Sequence, residues 1–173
     1  MGKIDLAKVP VKTGSTYPAP FAEQMAGRSS LRIGQAGGLT QFGANLVILE
    51  PGARSSLRHW HAHEDEFVMV TQGEVILVQN AGETKMYPGD CAAFPAGDED
   101  GHCFVNRSNT NAGFLVVGTK ANPEYATYPD DNLKVELKDG SATFTHHDGT
   151  PYRAPDETCL LYTSDAADEH RDV

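Results

Sequence analysis

The stretch His59-Trp60-His61-Ala62-His63-Glu64-Asp65-Glu66 concentrates side chains able to bind a metal or move a proton. His59 and His61 are two positions apart, so on a strand both imidazoles leave the same face. Imidazole suits zinc, copper, iron and nickel, and a carboxylate alongside adds a hard anionic donor. Glu66 lies five positions beyond His61 and would face away on one straight strand. A bend through residues 62–65 removes that conflict by making Glu66 the first residue of the next strand. A further donor must come from another strand, and His102 is the only other histidine in the strand-rich region. His63 shares the parity of His61, but the bend intervenes, so it reads as a rim or supporting residue rather than a ligand. Glu64 and Asp65 read as solvated loop acids, Arg58 as outward and solvated, and Trp60 as part of a wall.

Short strands must position these groups. Asn45–Glu50 is an apolar run closed by Pro51-Gly52, and Ser56–His63 alternates. Phe67–Val70 and Val75–Val78 flank Gly73 and read as a hairpin. Cys91–Phe94, His102–Asn106 and Phe114–Gly118 follow, with Pro-Gly turns between them. Strands at this spacing predict an all-β sandwich or barrel. Residues 1–38 read as an irregular N-terminal arm, 39–120 as the barrel, and 121–158 as an extension packed on its outside. Leu133–Leu137 within that extension reads as an edge strand. Cys91 and Cys103 read as buried small hydrophobes, and His146-His147 as surface structure.

The chain has 173 residues, a net charge of −10 and three cysteines. That charge argues against binding nucleic acid or an anionic membrane. Three cysteines make no disulfide framework, and Met1–Pro10 lacks the apolar run of a signal peptide, so a cytoplasmic protein is expected. Cys159–Glu169 (CLLYTSDAADE) resembles a translated sequencing-library adapter. The coding sequence is therefore expected to stop near Thr158, with 159–173 a disordered read-through tail in which Cys159 and His170 carry no function.

The motifs resemble those of the cupin superfamily. Its first motif is a Pro-Gly turn, then HxH, four residues, Glu, six residues and Gly; here stand Pro51-Gly52, His59, His61, Glu66 and Gly73. The gap from Gly52 to His59 is one residue longer than the common form. The second motif is Gly, five residues, PxG, two residues, His, three residues and Asn; here stand Gly89, Pro95, Gly97, His102 and Asn106. Four residues, Asp98–Gly101, replace the usual two before His102. HDGTPY at His147–Tyr152 extends the resemblance, to a group of small bacterial cupins of which some carry names such as sugar-phosphate isomerase.

The resemblance implies a double-stranded β-helix, a small jelly-roll barrel. It implies a divalent transition metal (Fe, Mn, Zn or Ni) held by His59, His61, Glu66 and His102, with Glu66 also available as a catalytic base. Such a set leaves two octahedral positions for a small-molecule substrate or for substrate and dioxygen. Three functions follow. The first, preferred on family analogy, is an oxidoreductase of the dioxygenase kind acting on a small polar molecule. The others are an isomerase or epimerase of a sugar or sugar phosphate, and a non-catalytic sensor. A homodimer is expected, with Ala36–Glu50 offering an exposed edge.

Overall fold

Alternate side chains of Glu66–Gln72 part to opposite sides: Val68 and Val70 are buried, whereas Phe67 and Thr71 are exposed. This period of two recurs along the chain and builds the molecule. The structure, a computed structural model, describes residues 2–152. In chain order its strands are β1 (Val11–Thr13), β2 (Arg28–Leu31), β3 (Phe42–Leu49), β4 (Trp60–His61), β5 (Glu66–Gln72), β6 (Val75–Gln79), β7 (Gly82–Met86), β8 (Cys91–Phe94), β9 (Cys103–Val105), β10 (Ala112–Thr119), β11 (Glu124–Tyr128), β12 (Leu133–Lys138) and β13 (Ser141–Thr145). The tail expectation for 159–173 lies outside the described residues.

One layer is a six-stranded antiparallel sheet in the order β1-β2-β3-β10-β5-β8. The other comprises β7-β6-β9 and β13-β12-β11-β4. The bridges Arg54–Val105 and His59–His102 join these two pieces. The all-β, double-sheet barrel expected from the sequence is therefore present. Its main core sits between the layers and includes Val47, Leu49, Val68, Val70, Leu77, Phe104 and Phe114. Each such side chain contributes about 1.5–3 kcal/mol by leaving water. A second cluster places Met25, Leu57, Tyr128, Leu133 and Val135 against Tyr17 and Phe21 of the N-terminal region.

Four local readings change; the first is that Leu133–Leu137, read as an edge strand, belongs to β12, which lies between β11 and β13. The stretch read as irregular carries β1 and β2, which extend the large sheet; they are three and four residues long and become strands through pairing with β3 rather than through their own composition. The edge expected at Ala36–Glu50 is not an edge, because β3 is flanked by β2 on one side and β10 on the other. Residues 122–131, expected on the outside, instead supply β11, which pairs with β4 at Ala126–His61 and Thr127–Trp60.

The β5–β6 turn shows why the first motif needs its glycine. Gly73 has φ +69, and a Cβ there would stand 2.7 Å from the carbonyl oxygen of Asn111. A side chain is excluded by both backbone conformation and space.

Candidate metal centre

His59 and His102 face each other across a two-way backbone bridge, His59 N–H to His102 O (3.1 Å) and His102 N–H to His59 O (2.8 Å). Directly opposed residues of antiparallel strands point to the same side, so this bridge brings the two motifs together. His61 sits on β4, anchored by β11, and its carbonyl accepts the Gly97 N–H at 2.8 Å. Gly97 has φ +78, which lets the Pro95–Gly97 turn fold against β4. Glu66 opens β5 after the predicted bend, between Phe94 of β8 and Gly118 of β10. The four-residue turn before His102, two longer than the common form, is held by a side-chain contact: Asp100 accepts the Asn80 N–H at 2.8 Å.

All four sequence-predicted site residues thus meet in one place. His59 Nε2 lies 3.1 Å from His61 Nε2, His102 Nε2 lies 3.2 Å from Glu66 Oε1, and His61 Nε2 lies 3.9 Å from Glu66 Oε2. His102 is buried, while the side chains of His61 and Glu66 remain 15% and 21% exposed. Among the described residues no group of three or more His, Cys, Asp or Glu side chains is arranged to hold a metal ion; these four are closed directly onto one another.

The donor chemistry nonetheless fits a divalent transition metal. His59 Nδ1 lies 2.9 Å from the Leu57 carbonyl oxygen, which can only accept, so Nδ1 carries the hydrogen and Nε2 presents a lone pair. Burial, with His61 and His102 alongside, pushes the His59 imidazolium down to about 3, so this ring is neutral near pH 7. Its Nε2 lone pair then faces His61 Nε2 at 3.1 Å, where either a hydrogen on that nitrogen or a shared cation satisfies it. Donors about 2.1 Å from a common metal stand about 3.0–3.4 Å apart, close to two of the three separations. Burial raises the Glu66 carboxyl, but the His102 hydrogen bond and the three imidazoles outweigh it and hold it below its ordinary value. Glu66 is therefore anionic at neutral pH, as a metal ligand or base must be.

Several neighbours escaped the sequence reading. The Phe94 ring stacks on His102 with centroids 3.6 Å apart and planes 7° from parallel. Tyr128 packs on His59 at 5.7 Å and meets Tyr17 of the N-terminal region edge-on at 5.5 Å. Burial pushes both tyrosine hydroxyls upward, so they act here as neutral groups. Glu124, fully buried at the start of β11, reaches the His61 turn. The signal for it was period two: Glu124, Ala126 and Tyr128 share the buried face of β11.

Two neighbouring expectations are corrected. Arg58 is not solvated: its side chain is 13% exposed and donates to both oxygens of Asp130 (2.7 and 2.6 Å), to Asn80, and to the Gly101 carbonyl. Cys91 is exposed, because Ala92 and Phe94 take the inward parity of β8; Cys103 is buried, and burial raises its thiol. His63 stands 52% exposed at the rim.

The family model for the cupin domain matches residues 45–118. A sugar phosphate isomerase from a cupin superfamily, of Silicibacter pomeroyi, has a solved structure similar to this one at 55% identity and a TM-score of 0.86, over 88% of this chain and 98% of that one. A putative sugar phosphate isomerase from Acidithiobacillus ferrooxidans is similar at 25% identity and a TM-score of 0.66, over 74% of this chain and 81% of that one. A polyketide cyclase from Streptomyces resistomycificus shares the fold at 20% identity and a TM-score of 0.55, over 69% of this chain and 79% of that one. A comparison with curated proteins gives no match. With both motifs, the two-layer barrel and these likenesses in place, the chain belongs to the cupin superfamily.

Proposed function

We propose that this protein is a metal-dependent isomerase of a small phosphorylated sugar. The observation that carries the reading is the convergence of His59, His61, His102 and Glu66 from separate strands onto one accessible spot. The substrate class rests on the Silicibacter pomeroyi relative, 55% identical and described as a sugar phosphate isomerase. That likeness moves the preference from oxygen-dependent chemistry, favoured on sequence, to isomerisation.

In this reading the three histidines and Glu66 hold a divalent transition metal. When bound, the metal supplies Lewis-acid polarisation of a substrate carbonyl or hydroxyl. Glu66 moves the proton. Its Oε1, 3.2 Å from His102 Nε2, would share the metal with that ring, whereas Oε2 stands 3.9 Å from its nearest ring nitrogen, His61 Nε2. Oε2 takes the proton from the hydroxyl-bearing carbon next to the carbonyl and returns it to the carbonyl carbon, while the hydroxyl proton passes to the former carbonyl oxygen, so the isomerisation balances without an oxidant. His59, packed by Tyr128 and tied to Leu57, keeps its ring fixed during that transfer.

The test is elemental analysis of protein purified without added metal, followed by incubation with aldose and ketose phosphates in deuterated water. Stoichiometric metal and metal-dependent deuterium incorporation beside the carbonyl are expected. Failure to retain any of Fe, Mn, Co, Ni or Zn, with no exchange across the panel, would overturn the proposal.

The working unit in this proposal is a homodimer in the cytoplasm. Cys91 and Cys103 are both free thiols, in keeping with a reducing compartment. The dimer surface is the outward side of the large sheet. Register aligns Val11, Leu31, Leu46, Leu115, Met69 and Cys91 in one row across all six strands. Val117, Phe67 and Ala93 form the next outward row, ending at Ala44, against which Gly34 packs. None of these positions is charged. Among the described residues no helix is long and apolar enough to cross a membrane.

A further inference from the structure

Glu124 is an acid that neither the sequence motifs nor the proposed chemistry uses. Its side chain is 0% exposed, and an acid is rarely buried without partners because its desolvation is costly. Its polar neighbours belong to the turn that carries the first motif. Oε1 accepts the Ala62 N–H at 2.9 Å and lies 3.4 Å from His61 Nδ1. Oε2 accepts the His63 N–H at 2.9 Å and lies 3.7 Å from His63 Nδ1. His61 Nδ1 is itself buried and makes no hydrogen bond of ordinary geometry, so the Glu124 oxygen is the acceptor that faces it.

A histidine can ligate through Nε2 only if that nitrogen carries no hydrogen. The tautomer is set by what the other nitrogen meets. For His59 the Leu57 carbonyl does this. His61 has no such backbone carbonyl, and the element facing its Nδ1 is the start of β11, where Ala126 pairs with His61 and places Glu124 behind the ring. A carboxylate facing an imidazole N–H also raises the basicity of the opposite nitrogen.

We propose that Glu124 is a positioning residue of the metal centre: it holds His61 as the Nδ1–H tautomer and pins the Ala62–His63 turn, so that His61 Nε2 stays free to ligate. The inference rests on the proposed metal site. Its competitor is a purely structural role, in which Glu124 only staples the turn through the two backbone N–H groups.

Glu124→Gln separates the two, because the amide keeps the shape but cannot accept from both backbone donors and from His61. Two readouts are taken: the tautomer of His61 by nitrogen-15 NMR of the as-purified protein, and zinc affinity by competition with a chromophoric chelator. The wild type is expected to show Nδ1–H at His61. In Glu124→Gln the Nε2–H form appears and zinc affinity falls by about 10–100-fold. A folded Glu124→Gln protein with an unchanged tautomer and zinc affinity within about twofold of wild type overturns the proposal. If that variant does not fold, Glu124→Asp replaces it. It keeps the charge but draws it back from Nδ1, so a weaker Nδ1–H signal and reduced zinc affinity are expected; wild-type values for both overturn the proposal. A wild-type protein that takes up no zinc or other metal defeats the metal-site reading instead, and the His61 tautomer alone then decides the role of Glu124.

Discussion

The two oxygens of Glu66 face different neighbours: Oε1 lies 3.2 Å from His102 Nε2, and Oε2 lies 3.9 Å from His61 Nε2 with no hydrogen bond to hold it. Oε1 is placed to bind a metal beside His102 while Oε2 stands farther off, which suits a group that keeps its place while moving a proton. Glu66→Gln retains the size of the side chain and removes its basicity. We expect deuterium exchange on a sugar phosphate to fall by about 100- to 10,000-fold, with the far-ultraviolet circular dichroism unchanged. Exchange within tenfold of wild type would assign the base to another residue. This quartet was legible in the sequence because strand parity and motif spacing act locally: His59 and His61 share a face by being two apart. Period two on β11 signals that Glu124 is buried, but its role was not legible, because its partner, the His61 turn, is 62 positions away.

At the scale of elements, the site depends on how the strand carrying His59 is held. Arg58, on the opposite parity, forks onto Asp130 and reaches Gly101, one residue from His102. The Arg58 hydrogen bond holds the Asp130 carboxyl below its ordinary value. A depressed folded-state value means that the contribution is fully present above the unfolded value of 3.8 and is lost as pH falls through the folded one. Urea midpoints measured from pH 6 down to pH 3 should therefore fall more for wild type than for Asp130→Asn; parallel curves would show that the clasp contributes nothing. Asn106 performs a different task in the second motif. Its side chain is fully buried and donates to the Leu49 and Thr110 carbonyls at 2.9 and 2.8 Å. Asn106→Ala leaves both acceptors without that donor and should cost about 2–4 kcal/mol, read from the denaturant midpoint; a loss below about 0.5 kcal/mol would contradict this account. The strands that carry the motifs were readable from alternation and Pro-Gly turns. β1, β2 and β11 were misread because their strand character comes from their neighbours: Val11–Thr13 pairs with β2, and Glu124–Tyr128 lies between β4 and β12. Composition carries no record of which strand will lie alongside.

For the molecule as a whole, the distribution of charge matters more than its total. Two copies of a chain with net charge −10 repel each other, most strongly where acids cluster. The outward side of the six-stranded sheet is the exception, since its two aligned rows hold only apolar side chains, alanine and Cys91. Phe67 stands there 42% exposed and Val11 62% exposed. Six strands of three to eight residues give a face of roughly 500 Å² in projection. Its accessible area is larger than its projection and approaches the roughly 800 Å² per partner of a standard interface. The charge total was legible in the sequence; this bare face was not, because it exists only once register aligns residues from six strands. A twofold pairing puts the same rows on both sides, so one substitution acts twice. Phe67→Asp points outward and should leave the fold intact while placing two like charges at the contact. Light scattering at micromolar concentration is expected to show a dimer for wild type and a monomer for Phe67→Asp. Because added salt screens the repulsion between the acidic copies, wild-type association should strengthen between 50 and 500 mM sodium chloride. A wild-type monomer at both salt concentrations, or a Phe67→Asp variant that dimerises as wild type does, would show that the second copy does not sit on this face.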